Sequence, residues 1–136
     1  MDPTTWLPHR PPFLLVDDVD VDESGSSARG RWTPGPERFE GHFPGMPILP
    51  GVLQVEAIAQ VGACGILAAG AEGVPVFTGL EKVRWRRQVV PGDTLEIEVA
   101  LDEMRHRIGK GKGRATVEGE LACDATLKFA LIDPPD

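Results

Sequence analysis

A histidine and a glutamate, fourteen residues apart, are the residues of this chain best suited to acid–base chemistry. His42 stands in the run GHFPGMPILPG, in which three prolines fix the backbone and exclude a helix interior. Glu56 stands in the apolar stretch that follows, 51–70, which holds no proline and no basic residue. The sequence therefore predicts a rigid loop that carries an imidazole and a buried helix that carries a carboxyl group.

The surroundings of Glu56 on the predicted helix decide what its carboxyl group can do. Its sequence neighbours are apolar, so we expect partial desolvation, which favours the neutral, proton-donating form. Gln60, four residues further on, falls on the same face of the helix. Glu56 is therefore a candidate proton donor. The alternative interpretation is a carboxylate held by an arginine from elsewhere in the fold.

The proline-rich loop and the start of the helix supply two further groups. Histidine side chains change charge near neutral pH, which makes His42 a candidate general base; the alternative is a hydrogen-bonded imidazole in the core. Backbone N–H groups from Gly51 onward lack a helical acceptor and can stabilise a carbonyl oxygen that gains charge. A base, an acid and an oxyanion donor in one segment favour proton removal beside a carbonyl group, coupled to loss or gain of water.

One helix and five or six strands are the elements that must position these groups. Apolar and polar residues alternate strictly over 94–101, which is typical of a strand with one solvent-facing side. The predicted strands are 13–22, 28–33, 74–90, 94–108 and 114–132. The run 34–41 is predicted as a loop with one helical turn, and GKGKG, 109–113, as a turn between strands. An antiparallel sheet wrapped around a single helix is the economical packing, so we expect one α+β domain over 1–136.

The composition excludes several classes of protein. With 136 residues, 41% of them apolar, the chain can build one globular core. The stretch 51–70 is the only one long enough to span a bilayer, and its polar residues favour a core helix instead. A net charge of −7 argues against general affinity for nucleic acid or anionic lipid. The first residues lack the pattern of a secretory signal, so we expect a cytoplasmic protein without a membrane segment.

Cysteine and histidine spacing indicates neither a disulfide nor a metal site. Cys64 and Cys123 lie far apart without CxxC spacing, and we expect them to be reduced, buried thiols. The three histidines are scattered, and none pairs with a cysteine or a carboxylate at a ligand spacing. We therefore expect no bound metal and no cofactor.

Three segments of the chain resemble the 3-hydroxyacyl-[acyl-carrier-protein] dehydratases of the FabZ type, which adopt the hotdog fold. These segments are LPHRPPFLLVDDV at 7–19, the run at 41–60, and KVRWRRQVVPGDTLEIEV at 82–99. The resemblance covers nearly the whole chain and implies a hotdog fold. It also implies four roles: His42 as catalytic base, Glu56 as acid, Gly51 as oxyanion donor through its N–H group, and Gln60 as the residue that orients the acid.

The resemblance implies dehydration of a (3R)-3-hydroxyacyl thioester to a trans-2-enoyl thioester, in fatty-acid or polyketide-type biosynthesis. An acyl carrier protein would carry the substrate. In the wider hotdog family the site forms between two chains, so we expect at least a homodimer, and relatives often assemble further into hexamers. A glutamate rather than an aspartate at the acid position favours plain dehydration over the chemistry of the isomerising relatives.

A basic strip is the predicted docking surface for an acidic carrier protein. Period-two spacing places Lys82, Arg84 and Arg86 on one face of the strand predicted there. The alternative is an ordinary solvated strand face. Of the remaining histidines, we expect a structural or interface role for His9 and a solvated surface position for His106.

Two rival functions stay open at the level of the sequence. A helix carboxylate could activate water at a thioester carbon, as in other hotdog proteins, which would give thioester hydrolysis. The chain could also be a non-catalytic partner subunit of a mixed dehydratase. The rigid loop of His42 favours the dehydratase over the hydrolase, and the presence of both His42 and Glu56 speaks against a non-catalytic role.

Overall fold

A long helix packs against a six-stranded antiparallel sheet in the computed structural model, which describes residues 1–135. Helix α1 spans Gly51–Ala68. The strands are β1 Asp18–Val21, β2 Ser27–Trp32, β3 Val74–Trp85, β4 Leu95–Leu101, β5 Ile108–Val117 and β6 Glu120–Ile132. Their order across the sheet is β1-β2-β4-β5-β6-β3, and all neighbours are antiparallel. The predicted α+β hotdog architecture, with five to six strands around one helix, is confirmed.

The helix lies close to the sheet because glycines on both elements leave room for it. A Cβ added at Gly113 of β5 would lie 2.2 Å from Ile58 Cγ2, and one added at Gly65 of α1 would lie 2.7 Å from Leu101 Cδ1. Both distances are shorter than real Cβ atoms show, so larger residues would push the two elements apart. The close approach leaves Ile58 fully buried between helix and sheet.

The segment GKGKG belongs to a strand, so its prediction as a turn is wrong. Residues 109–113 lie inside β5, with the glycines buried and both lysines exposed. Alternating glycine and lysine is itself a period-two pattern, and the glycines face inward because larger side chains would collide with neighbouring elements. The turn comes earlier, at His106 and Arg107, whose positive φ values of 51° and 64° suit a two-residue hairpin loop. His106 is exposed there, as predicted.

Two predicted strands are divided by hairpins. The stretch 94–108 is not one strand, because β4 ends at Leu101 and the chain turns back as β5. The stretch 114–132 is divided by a second turn at Glu118 and Gly119, which both have positive φ. A run of strand-forming residues does not by itself indicate where its hairpin turns.

The predicted strand 13–22 is shorter for a different reason. Only Asp18–Val21 pairs in the sheet, as β1. Backbone groups further upstream bond to a side chain of the helix instead. Gln60 Nε2 donates to Phe13 O over 2.9 Å, and Leu15 N–H donates to Gln60 Oε1 over 2.8 Å. The N-terminal segment is therefore tied to α1 rather than to a neighbouring strand.

Strand β3 forms one edge of the sheet and ends at Trp85, five residues before the predicted end at 90. Its pairing with β6 shifts register between Glu81 and Arg84. At this bulge Lys82 takes a positive φ of 52°, which interrupts the alternation of side chains. The edge strand carries several exposed apolar side chains, namely Val76, Phe77, Leu80 and Trp85. A long, apolar strand edge is a surface suited to pairing with another chain.

Helix α1 is the core element that its composition predicts. Its length and mean hydropathy of 1.5 would suit a membrane span, but most of its side chains are buried in the fold. This is the arrangement of the core helix of a soluble protein. Strand β2 and the single helical turn at Pro36–Arg38 also agree with the predicted elements.

Candidate active site

The loop that carries His42 is closed by its own backbone. His42 N–H donates to Phe39 O over 3.1 Å, and Ile48 N–H donates to His42 O over 2.8 Å. At its end, Leu49 N–H donates to Val89 O over 2.8 Å, which joins the loop to the segment after β3. Together with the prolines, these bonds fix the position of the imidazole.

A backbone carbonyl group decides which nitrogen of His42 carries the proton. Nδ1 lies 2.8 Å from Ile48 O, and a carbonyl oxygen can only accept a hydrogen bond, so the proton is on Nδ1. In the neutral ring, Nε2 then keeps the free lone pair. The ring stacks on Phe43, with centroids 4.1 Å apart, and is only partly buried. His42 therefore has the tautomer and the access that a general base needs.

The start of α1 lies beside His42 in an open cavity. Gly51 is the first residue of the helix, so its N–H has no helical acceptor, while its carbonyl accepts from Trp85 Nε1 over 3.0 Å. A Cβ at this position would lie 2.5 Å from Trp85 Nε1, so glycine allows the indole to lie against the helix start. We call this space the base cavity; it is lined by His42, Gly51, Trp85, Arg86 and Arg87, among others.

Glu56 lies in a second cavity, of about 60 Å³, lined mostly by apolar residues of α1, β3, β4 and β6. We call it the acid cavity. Glu56 Oε2 accepts a hydrogen bond from Gln60 Nε2 over 3.0 Å. Burial raises the pKa of the Glu56 carboxyl group, against the opposing effects of the Gln60 hydrogen bond and of positive charge on His9. Within residues 1–135 its only ionic partner is His9, so no arginine holds it as the alternative interpretation required.

Gln60 is buried and uses both ends of its amide group. Its Nε2 donates to Glu56 Oε2 and to Phe13 O, and its Oε1 accepts from Leu15 N–H. Because Phe13 O can only accept and Leu15 N–H can only donate, the orientation of the amide is determined. Gln60 therefore holds the carboxyl group and the N-terminal segment in one arrangement, which suits an orienting role.

His9 lies in the acid cavity, although the sequence indicated a structural or interface role for it. Its Nε2 is 3.8 Å from Glu56 Oε2, and both side chains line the same space. The two residues are 47 positions apart, so no local pattern could reveal their contact. The only signal was the place of His9 in the LPHR element of the family resemblance.

Within one chain, the candidate base and the candidate acid do not share a cavity. The base cavity holds His42 and Gly51, whereas the acid cavity holds His9, Glu56 and Gln60. In the part of the chain that the structure describes, no residue lines both cavities. In a single chain, the base and the oxyanion donor therefore lie together in one cavity. The acid and its orienting residue lie together in the other.

The predicted basic strip is divided by the end of β3. Lys82 and Arg84 border a groove that Lys112 and Arg114 of β5 also line. Arg86 follows the strand and lines the base cavity instead. The placement of all three predicted residues on one strand face is therefore wrong, because β3 ends at Trp85 and Arg86 lies beyond it.

The two cysteines are buried and unpaired within residues 1–135, in agreement with the sequence. Burial raises the pKa of Cys64 and of Cys123 to about 12. Thiols with such a high pKa are poor nucleophiles at neutral pH, so neither is a candidate for the chemistry.

The chain is similar in sequence to proteins of one enzyme family. A family profile for a FabA-like domain matches residues 7–126. A protein of Herpetosiphon aurantiacus named 3-hydroxyacyl-[acyl-carrier-protein] dehydratase FabZ is 50% identical over 131 residues, which is 93% of each chain. A protein of the same name from Desulforamulus reducens is 52% identical over 129 residues, covering 92% of this chain and 91% of its own length.

Solved structures share the fold at much lower identity. The dehydratase heterocomplex ApeI:P from Xenorhabdus doucetiae matches with a TM-score of 0.80 and 19% identity, over 98% of this chain and 92% of that one. A hypothetical thioesterase with coenzyme A from Streptococcus pneumoniae matches with a TM-score of 0.67 and 11% identity, over 88% and 89%. These likenesses agree with the observed architecture of one helix against an antiparallel sheet.

Proposed function

The chain belongs to the FabA-like family as a FabZ-type dehydratase, and on that premise we propose that His42, Glu56 and Gly51 perform its reaction. The reaction is the dehydration of a 3-hydroxyacyl thioester to a 2-enoyl thioester in fatty-acid biosynthesis, which makes the protein a hydro-lyase. We assign the (3R) configuration to the substrate and the trans configuration to the product, as the family resemblance implies.

Proton removal from C2 is the task of His42. Its Nδ1–H is engaged by Ile48 O over 2.8 Å, so Nε2 is the basic atom available to the substrate. The C2–H bond breaks as its proton moves to Nε2, and the electron pair moves toward the thioester carbonyl group. The N–H group of Gly51 and the positive end of the helix dipole stabilise the charge on the thioester oxygen.

Loss of the C3 hydroxyl group is the task of Glu56. Burial raises the pKa of its carboxyl group, so the neutral form persists to higher pH than in an exposed glutamate. The carboxyl group gives its proton to the hydroxyl, which leaves as water while the C2–C3 double bond forms. The cycle closes when the proton on His42 returns to the Glu56 carboxylate, either directly or by exchange of both groups with solvent.

One observation carries this assignment: each candidate residue is held by hydrogen bonds that leave one reactive atom free. His42 keeps Nε2 free because Nδ1 is engaged, and Glu56 keeps Oε1 free because Oε2 is engaged by Gln60. Positioning of this kind is what acid–base catalysis needs.

The assignment is tested by following water loss from 3-hydroxyacyl thioesters, carrier-bound and coenzyme A-bound, by mass spectrometry. We expect His42→Ala and Glu56→Gln each to lower the rate by roughly 10²- to 10⁴-fold. His106→Ala, at an exposed hairpin, is the control and should keep the wild-type rate. Near-normal rates in the first two variants would refute the roles, and release of free thiol without enoyl product would indicate the hydrolase alternative.

We further propose that the active site is shared between two copies of the chain. The separation of the base cavity from the acid cavity within one chain supports this arrangement. The exposed apolar edge of β3 offers a second copy a strand to pair with. In such a homodimer, Glu56 of one chain would lie beside His42 of the other. Sedimentation of the purified protein tests this proposal, because a fully active monomer would contradict it.

The carrier protein is proposed to dock on the basic residues at the base cavity. Arg86 and Arg87 line that cavity, and Lys82 and Arg84 lie on the preceding part of β3. The described residues that line the acid cavity include no lysine or arginine. Positive charge on one side of the site attracts an acidic partner and orients its approach. We therefore infer that the carrier-linked thioester enters from the side of the base.

The hexamer and the cytoplasmic location stay predictions of the family resemblance and of the sequence. The same sedimentation experiment separates a dimer from a hexamer by mass. Cell fractionation of the producing organism tests the location.

A further inference from the structure

Among the residues that the structure describes, His9 is the only titratable one besides Glu56 in the lining of the acid cavity. Its Nε2 lies 3.8 Å from Glu56 Oε2, which is too long for a hydrogen bond but close enough for electrostatic interaction. Only 22% of the His9 side chain and 20% of the Glu56 side chain are exposed, so solvent ions screen the interaction weakly. The His9 ring is therefore close enough to act directly on the Glu56 carboxyl group.

Gln60 and His9 both face the same oxygen of that carboxyl group. Gln60 Nε2 donates to Glu56 Oε2 over 3.0 Å, and the His9 ring approaches the same atom. Oε1 accepts no hydrogen bond from the part of the chain that the structure describes. One oxygen is thus held toward protein groups, and the other is free to meet a substrate hydroxyl.

The His9 ring has no other polar contact that would explain its chemistry. Its Nδ1 is buried without a hydrogen-bond partner within residues 1–135. The backbone around it is held separately, because Arg10 Nη1 donates to Leu7 O and to His9 O, over 2.7 Å each. Buried polar atoms without partners are uncommon. If His9 only filled space, an apolar side chain would suit the site better. Because Nδ1 has no partner, the polar group of His9 that can have an effect is Nε2.

We propose that His9 is a positioning residue for the proton donor: with Gln60 it keeps Glu56 Oε2 turned toward the protein, so that Oε1 delivers the proton to the C3 hydroxyl. The inference rests on the proposed role of Glu56 as the acid. His9 itself does not touch the reacting atoms.

A double-mutant cycle tests this role with two substitutions of different chemistry. His9→Phe keeps a ring of similar shape but removes its polarity, whereas His9→Gln keeps a polar group near the position of Nε2. We expect His9→Phe to lower kcat about tenfold with little change in KM, and His9→Gln to keep most of the wild-type kcat. On a Glu56→Gln background, His9→Phe should lower the residual rate no further, because no acid is left to position.

An equal fall in rate on both backgrounds would overturn the proposal, because it would indicate a structural role. If Glu56→Gln alone kept the wild-type rate, the proposed acid would be wrong, a failure distinct from that of His9. NMR of protein labelled with ¹³C in the glutamate carboxyl groups gives a readout independent of activity. The Glu56 titration midpoint should move to higher pH in His9→Phe, since burial remains while the nearby positive charge is lost. An unchanged midpoint would also overturn the proposal.

Discussion

The base cavity and the acid cavity are built by different means. His42 is positioned by Phe39 and Ile48, its close neighbours in the chain, and by the prolines between them. Glu56 depends on Gln60, which in turn bonds the backbone of a segment more than forty residues away. A change on the base side should therefore act mainly on activity. A change on the acid side should act on stability as well.

The two cavities also differ in polarity. The base cavity is lined partly by arginine side chains, and a groove with four basic residues lies along β3 and β5. The acid cavity is mostly apolar apart from His9, Glu56 and Gln60. In the proposed reaction, the charged carrier therefore belongs on the base side and the hydrocarbon part of the substrate on the acid side.

The largest effect on stability is expected at Gln60. Gln60→Leu should lower the free energy of unfolding by roughly 2–4 kcal/mol, because Leu15 N–H and Phe13 O lose their partner and each buried loss costs about 1–3 kcal/mol. Gln54→Leu is the matched control on the same helix, since Gln54 is equally buried but its Oε1 has no partner within residues 1–135. It should change stability little. Denaturant unfolding measures both variants, and equal losses would contradict the special role of Gln60.

A smaller effect is expected at the basic groove. Lys82→Glu combined with Arg84→Glu should lower kcat/KM for a carrier-linked substrate about tenfold at low salt, and less at high salt. Turnover of a short free thioester should not change. Arg86 is left intact because it lines the base cavity. Arg105→Glu, in the hairpin between β4 and β5, controls for the loss of positive charge alone; equal losses on both substrates would refute the docking proposal.

The smallest effect concerns the pH dependence of stability. Burial raises the pKa of Glu56 in the folded protein. Wild-type protein should therefore lose stability relative to Glu56→Gln as the pH rises from the ordinary pKa of a glutamate through this raised pKa. Glu81 is an exposed control of opposite sign, because its hydrogen bond from Lys128 lowers its pKa. Relative to Glu81→Gln, wild-type protein should lose stability as the pH falls from the ordinary pKa of a glutamate through the lowered pKa of Glu81. Unfolding by urea from about pH 3 to pH 8 measures both differences, and slopes of the same sign would contradict the buried environment of Glu56.

The features that the sequence predicted well are those determined by neighbours in the chain. Prolines around His42 indicated a fixed loop, and the strict alternation over 94–101 indicated a half-buried strand. The apolar stretch from Gly51 indicated the core helix, which ends two residues before the predicted end. Each of these signals depends on backbone geometry or on a periodicity that is local to one element.

The features that the sequence missed depend on contacts between elements. The glycines at 109–113 resemble a turn until the helix is known to pass over them. The contact between His9 and Glu56 joins two segments that share no pattern. The division of acid and base between two cavities appears only when the whole fold is built.

Subunit mixing is the most direct test of a shared acid–base site. His42→Ala and Glu56→Gln proteins are each inactive in the proposed mechanism. In a mixed dimer, one of the two sites combines His42 from the Glu56→Gln chain with Glu56 from the His42→Ala chain, and the other site lacks both groups. After subunit exchange at equal concentrations, half of the dimers are mixed, so about one quarter of the wild-type dehydratase activity should return. If native mass spectrometry detects mixed dimers while the activity stays at the level of the separate variants, the shared site is wrong.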